Sequence, residues 1–504
     1  MEPVRRIIIN TAAQYVKALI NIGLSLYSTR LILDALTIPD YGVYSVVAGV
    51  VAMLGFVTNA LVITTQRYIS YYHGARNPAY VRRVFTNSLF LHILIGLALA
   101  AVLYLCKGWL MENVLNILPE RKAVAGHVYE VTIAMLFITI VMAPFKALFI
   151  ARENIVYISV VEVLDGVLKF FLAIGLTYVS ADKLLFYALM MSAILLFNLL
   201  TFAGYALWRF EECSIVIRRK SIDRACLRML LGFAGWTTYG MGVVAARNQG
   251  IAVVFNHFMG TVINAAYGIA FQVYGAVAFV ATSVLNAMNP QIMKAEGAGD
   301  RHKMLLLAEM ESKYSAALMS LVAIPLIVEM PVLLGLWLKE VPEHTVMFCR
   351  FVLIAFLCDQ TTYGLNTANQ ALGRIRNYTL LMYTPKLLMM PFVWWMVSSG
   401  EAPHSVMLFY VGIELLVALI RIPYMKYTAG LSMRHYCRHV LLPLTPLVFV
   451  LYALGAACVQ WCDASLRFVL TFAVSVSGGL LTAWFLTLES GERQYVRNLV
   501  KKKI

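Results

Sequence analysis

Fourteen apolar runs recur along the 504-residue chain, each separated from the next by a short polar connection. A bilayer span needs about 20 mostly apolar residues. On that basis the runs fall at approximately 8–34, 43–66, 84–106, 125–149, 155–179, 184–208, 228–256, 262–288, 312–338, 346–370, 377–398, 404–426, 440–460 and 466–488. Lipid offers no hydrogen bonds to a bare backbone, so runs this long and this apolar must be helices. The expected fold is an all-α integral membrane protein with about 14 transmembrane helices. Composition agrees, with 61% hydrophobic and 13% charged residues, against about 25% charged in a soluble domain.

The net charge of +15 suits a nucleic-acid binder, but its placement does not. Basic residues crowd every second connection, from Arg5 and Arg6 through Arg67–Arg83, Lys146/Arg152, "RRKSIDRACLR", Lys294–Lys303, Arg374/Arg376 and Arg421–Arg438 to the "KKKI" tail. The opposite connections hold only Lys107, Arg121, Lys122, Lys183, Lys339 and Arg467. That alternation is the positive-inside pattern. It predicts both termini in the cytoplasm and leaves no nucleic-acid partner to invoke. "MEPVRR" runs directly into the first span with no small-residue cleavage site, which reads as an uncleaved span.

Several function classes drop out. There is no GxxxxGK[ST] motif, so any transport is secondary unless a separate ATPase assists. The eight cysteines show no CxxC or His-paired spacing, so no metal or cofactor is expected. A membrane-embedded sugar polymerase or ligase would need a sizeable outer loop, and the longest here is Cys106 to Val124. The chain is expected not to be an enzyme.

An internal repeat organises the spans. "DYGVYSVVAGVVAMLGFVTNALVITTQRYI" parallels "AYGIAFQVYGAVAFVATSVLNAMNPQIMK", with Tyr41-Gly42 recurring as Tyr267-Gly268. The spacing equals six helices, which gives an N-lobe at 1–208, a cytoplasmic linker at 209–227 and a C-lobe at 228–428. Residues 429–504 hold the last two spans and the basic tail. Two such lobes related by a pseudo-two-fold axis place a cavity between them.

Charges inside spans are expensive and mark functional sites. In the first span Asn10, Gln14, Lys17, Asn21, Ser25 and Ser28 share an arc of roughly 80° over about 27 Å. Leu19, Ile20, Ile22 and Leu26 point elsewhere. The stripe is expected to line a cavity, the alternative being that it bridges to a neighbouring helix. Arg30 and Asp34 lie on another face, one turn apart, as a self-neutralising pair or a gate. The seventh span carries Arg247, Asn248 and Gln249, and Arg247 has no acid near it in sequence. The fifth carries Glu162, Asp165 and Lys169 on one face, either neutralising one another or raising a carboxyl until it binds a proton. Asp359, Lys386, and Glu414 with Arg421 complete the set. The last two are seven apart and expected to pair, while Glu329 and Arg350 are expected to snorkel outward.

Fourteen spans, the 6+6 repeat, "YGVYSVVAGVV", "TTQRYIS" closing span two and "NPQIMKAEGAGD" closing span eight together resemble one family. It is the polysaccharide-flippase branch of the multidrug/oligosaccharidyl-lipid/polysaccharide exporter (MOP) superfamily, similar to MATE exporters and the lipid II flippase. The resemblance runs over essentially the whole chain. It implies a MATE-like transporter of a bacterial cytoplasmic (inner) membrane. Such a protein moves undecaprenyl-pyrophosphate-linked oligosaccharide to the outer leaflet by alternating access, for O-antigen, capsule or exopolysaccharide. On that reading Lys17 and Arg247, joined by Arg30 and Lys386, attract the pyrophosphate, and Asn10, Gln14, Asn21, Asn248 and Gln249 bond sugars. Glu162, Asp165, Lys169 and Asp359 would couple transport to H+ or Na+. The implied partners are the lipid-linked oligosaccharide, membrane lipids and polysaccharide assembly proteins. The alternative is a cation-coupled multidrug exporter, which wants an acidic cavity where this chain carries Lys17.

Overall fold

A computed structural model describes residues 3–114, 117–213, 221–338, 340–461 and 467–494. Part of the expected linker (214–220), Cys462 and the end of the basic tail (495–504) lie outside the described residues. No strand occurs among the described residues, and every one of the fourteen expected spans has a helical counterpart.

By packing, the chain divides into two compact units. One comprises Met1–Gly242 and Met293–Gly299, the other Val243–Ile292 and Asp300–Ile504. The first unit contains α1 (Pro3–Ala52), α2 (Gly55–Gly74), α3 (Pro78–Leu105), the single turn α4 (Lys107–Trp109), α5 (Lys122–Ala151), α6 (Ile155–Gly175) and α7 (Lys183–Arg209). Its boundary falls inside α8 (Arg224–Met259) and again inside α9 (Thr261–Gly297). The second unit continues with α10 (Arg301–Val328), α11 (Met330–Trp337), α12 (Thr345–Gln360), α13 (Tyr363–Leu372), α14 (Ile375–Ser398) and α15 (Pro403–Ala429). It ends with α16 (Met433–Tyr436), α17 (Leu442–Trp461) and α18 (Arg467–Thr482).

Among the described residues eleven helices are long and apolar enough to cross a membrane, and α12 with α13, bent by 47°, make a twelfth if taken as one broken span. Of the other two counterparts, α6 has the length and the apolarity but carries three charges, Glu162, Asp165 and Lys169, and α2 has the length but is made too polar by the run from Thr64 to Arg67.

The second span departs from expectation. A connection at 35–42 was expected before a helix over 43–66, but α1 continues through it, and through Pro39, for 50 residues and breaks at Met53–Leu54. A proline deletes one backbone bond, and packed neighbours can carry a membrane helix across that gap. The second copy of the repeat breaks earlier, at Gly260, whose φ of +85° only glycine adopts without strain. It then runs unbroken as α9.

Each unit has its own apolar core. In the first, Tyr129, Val128 and Ala125 of α5 pack with Leu184, Tyr187 and Ala188 of α7. In the second, Phe255, Tyr267, Met319, Phe348 and Met389 join α8, α9, α10, α12 and α14. Two glycines bring α2 against the end of α9 inside the first unit. A methyl on Gly74 would stand 1.9 Å from the Lys294 carbonyl oxygen, and one on Gly297 would stand 1.8 Å from that of Tyr71.

Candidate functional site

The polar stripe of α1 turns toward α6. Asn10 donates its amide to the Glu153 carbonyl at 2.9 Å, and Asn21 donates to the Glu162 carbonyl at 3.1 Å. Gly166 makes the approach possible, since a methyl there would lie 2.5 Å from Asn21 Oδ1. Gln14 and Ser28 are buried on the same face, while Leu19, Ile20 and Ile22 are exposed on the others. Of the two orientations weighed from sequence, the helix-bridging one describes these contacts. The Leu26 side chain lies outside the described residues.

Lys17 sits at the centre of this face, its Nζ 2.7 Å from Glu162 Oε2. The other oxygen of Glu162 is taken by Lys146 Nζ, also at 2.7 Å. Lys146 was expected on an inward connection. Instead α5 extends beyond it to Ala151, which carries the ammonium to α6. Three helices thus deliver two cations to one carboxylate. The Lys17 side chain is 14% exposed and that of Glu162 29%, so the group stays reachable.

The expected Glu162–Asp165–Lys169 triad therefore splits. Asp165 pairs with Lys169 at 2.7 Å and accepts from Asn198 Nδ2 at 2.7 Å. Glu162 is drawn away by the two lysines of other helices.

The second unit builds the same chemistry from different helices. Arg247 of α8 pairs through Nη1 with Glu414 Oε1, and Lys386 Nζ of α14 lies 2.6 Å from Glu414 Oε2. Arg247 also donates to the Tyr410 hydroxyl at 2.9 Å and to Asn248 Oδ1 at 3.1 Å. This group is sealed: the side chains of Arg247, Glu414 and Lys386 are 3%, 6% and 8% exposed. Gly250, one turn beyond, packs against Met390, whose Cε would lie 2.3 Å from a methyl placed there.

The expected Glu414–Arg421 pair does not form, because Glu414 is already bridged by Arg247 and Lys386. Arg421 turns to Asp359 at 2.7 Å and donates to Thr362 Oγ1 at 3.2 Å. Arg30 and Asp34 form no ion pair among the described residues, and both side chains are exposed. Gln249 is exposed. Glu329 does not snorkel; it is fully buried, held by Thr471 at 2.7 Å and Arg467 at 3.2 Å. Arg350 donates back to the Ile327 carbonyl at 2.9 Å.

Both carboxylate-centred groups carry one more cation than anion. Each carboxylate bridges two cations through its two oxygens, the arrangement a phosphate makes with the same side chains. The site therefore suits a multivalent anion, which would displace the carboxylate by offering more charge. Among the described residues no cluster of three or more His, Cys, Asp or Glu side chains is arranged to hold a metal ion.

No protein-family model and no curated protein sequence matches the chain. Solved structures do. A multidrug resistance MATE family transporter of the MOP superfamily, in an outward-facing conformation, superposes with a TM-score of 0.74 at 14% identity, covering 85% of this chain and 96% of the other. The fold is that of the MATE transporters. A MOP superfamily transporter from Pyrococcus furiosus, described as having a binding pocket of reversed polarity, gives 0.71 at 13% identity, covering 86% of this chain and 97% of that one. A MATE protein in a straight conformation gives 0.72 at 15%, with 85% and 97% covered. At these identities the likeness is one of fold. The all-α, multi-pass, MATE-like architecture expected from the sequence is what the helices form.

Proposed function

We propose that this MATE-like chain is a secondary transporter that moves an undecaprenyl-pyrophosphate-linked oligosaccharide across the bacterial inner membrane, for surface polysaccharide assembly. The observation that carries the reading is the cation excess at Lys17–Glu162–Lys146 and at Arg247–Glu414–Lys386. A cation-drug site would need spare carboxylate charge, and both carboxylates here are doubly paired. A pyrophosphate brings more negative charge than the carboxylate it would replace, so exchange at either group is electrostatically downhill.

In this mechanism the accessible Lys17 group receives the pyrophosphate first, with Glu162 released as it binds. The sealed Arg247 group engages once its helices part, and Tyr410 and Asn248 then keep the guanidinium oriented. Asn10 holds α1 to the α5–α6 connection and Asn21 holds it to α6, and Gln14, Gln249 and Asn248 offer amides to sugar hydroxyls. Alternating access would be carried by the two six-span lobes, 1–208 and 228–428, with both termini cytoplasmic.

Lys17→Ala and Lys17→Arg, expressed to equal levels in a host depleted of its own flippase, test the reading through surface polysaccharide. Loss with alanine and recovery with arginine support it. Full export with Lys17→Ala, or robust efflux of cationic dyes by the wild-type chain, would support the multidrug alternative instead.

A further inference from the structure

Of the acids buried in the second unit, Glu311 has neither an ion pair nor a histidine beside it among the described residues. Glu311 lies in the third turn of α10 with no exposed surface, and no ion pair reaches it among the described residues. The charged groups on the surrounding elements are engaged elsewhere. Lys313 is bonded to Glu492, Asp359 to Arg421, Glu309 to His435 and Arg467 to Glu329. Arg350 of α12 serves the Ile327 carbonyl. Two nearby phenols, Tyr363 of α13 and Tyr436 of α16, are uncharged neighbours, and Tyr436 donates to the Thr361 carbonyl.

The site is closed by backbone contact. Gly364 presses α13 onto α10 so tightly that a methyl on it would stand 1.9 Å from the Ala308 carbonyl oxygen. Its own N–H donates to Ser312 Oγ at 3.0 Å. Among the described residues the polar groups that meet the Glu311 carboxyl are neutral, Asn289 of α9 and Thr367 of α13. With its nitrogen turned inward, Asn289 donates to Glu311 Oε1 at 2.7 Å and to Thr367 Oγ1 at 3.0 Å. Glu311 Oε2 has no partner.

An ionised carboxylate with an orphaned oxygen in a cation-free interior is costly, and such a group takes up a proton rather than remain charged. A carboxylate only accepts, whereas a protonated carboxyl keeps one accepting oxygen and gains an O–H. The Asn289 amide serves the accepting oxygen, Oε1, and leaves Oε2 to carry a proton. We propose that Glu311 is a proton-binding site, occupied at neutral pH, that joins α9, α10 and α13 through Asn289 and Thr367. Glu162, Asp165 and Asp359, named from sequence as coupling acids, each have a cationic partner. Glu311 has none.

Infrared difference spectra of the full chain in nanodiscs, titrated with pH, test this without any substrate. In Glu309→Gln a protonated-carboxyl carbonyl band is expected at neutral pH, lost at alkaline pH and absent once Glu311→Gln is added; Glu311→Gln alone should weaken the wild-type band. An unchanged band in Glu311→Gln would overturn the proposal. So would removal of the band by sodium at constant pH, which would mean that a metal cation, and not a proton, is the ion Glu311 binds. Glutamine mimics the protonated acid, so Glu311→Gln should fold with a Tm at least equal to wild type at neutral pH. Failure of that variant to fold, where Glu309→Gln folds, would show that the charge is needed and would also overturn it.

Discussion

Glu414 of α15 bridges Arg247 of α8 and Lys386 of α14, the Lys386 Nζ standing 2.6 Å from its Oε2. A single carboxylate thus ties α8 to the consecutive helices α14 and α15, far along the chain from it. Removing one partner of a buried pair leaves uncompensated charge and costs about 3–5 kcal/mol. Glu414→Gln strands two cations at once and is expected to cost at least that much. Glu162→Gln, in the more exposed group, should cost clearly less. Thermal unfolding of both variants in one detergent checks the order.

Lys17 and Lys146 share Glu162, so each tests the other. Alanine at Lys17 leaves Glu162 paired with Lys146 and should leave Tm within a few degrees of wild type. Loss of one charge-assisted contact to a phosphate, about 1.5–3 kcal/mol, should weaken substrate binding roughly 10- to 150-fold. Titration of the purified variants with a water-soluble pyrophosphate-linked oligosaccharide analogue measures it.

The reciprocal contact of α2 with the end of α9 has no room for a side chain. Gly297→Ala must push against the Tyr71 carbonyl and Gly74→Ala against that of Lys294. Each should lower Tm on its own. The double variant should lose less than the sum, because separating the helices once relieves both clashes. Gly108→Ala, where nothing lies within reach of a methyl, is the control.

Glu212, beyond the end of α7, is buried, which by itself would raise its carboxyl. His73 at 3.2 Å and Arg152 through Nε at 2.7 Å outweigh that burial and hold it down at about 2. Its unfolded value is near 4.3. A depressed carboxylate stabilises the fold above the unfolded value and loses that contribution as pH falls through the folded one. The Tm gap between wild type and Glu212→Gln should be widest above pH ~5 and close as pH falls toward ~2.

The fold was largely legible because lipid permits so few solutions. Run length alone led to a helix for each expected span, and the in-span charges singled out Lys17, Glu162, Arg247, Lys386 and Glu414. Which of these would meet was not legible, since the partners come from helices whose neighbours only packing decides. Arg421 lies seven residues from Glu414 on one helix face, yet Asp359 of another helix takes it. Lys146 read as a connection charge because it lies within a turn of the end of its apolar run, at 149, where α5 continues to Ala151. Glu311 escaped notice for the same reason: α10 starts at Arg301, eleven residues before the apolar run, so a helical acid looked like the edge of a connection.

Transport itself is the most direct test. The purified chain, reconstituted in vesicles with an undecaprenyl-pyrophosphate-linked oligosaccharide, is measured by the rate at which the sugar becomes accessible to an enzyme added outside. The account predicts protein-dependent translocation that is lost in Lys17→Ala and restored in Lys17→Arg. Translocation at the wild-type rate in Lys17→Ala, or none from wild-type vesicles that export cationic dyes, would contradict it.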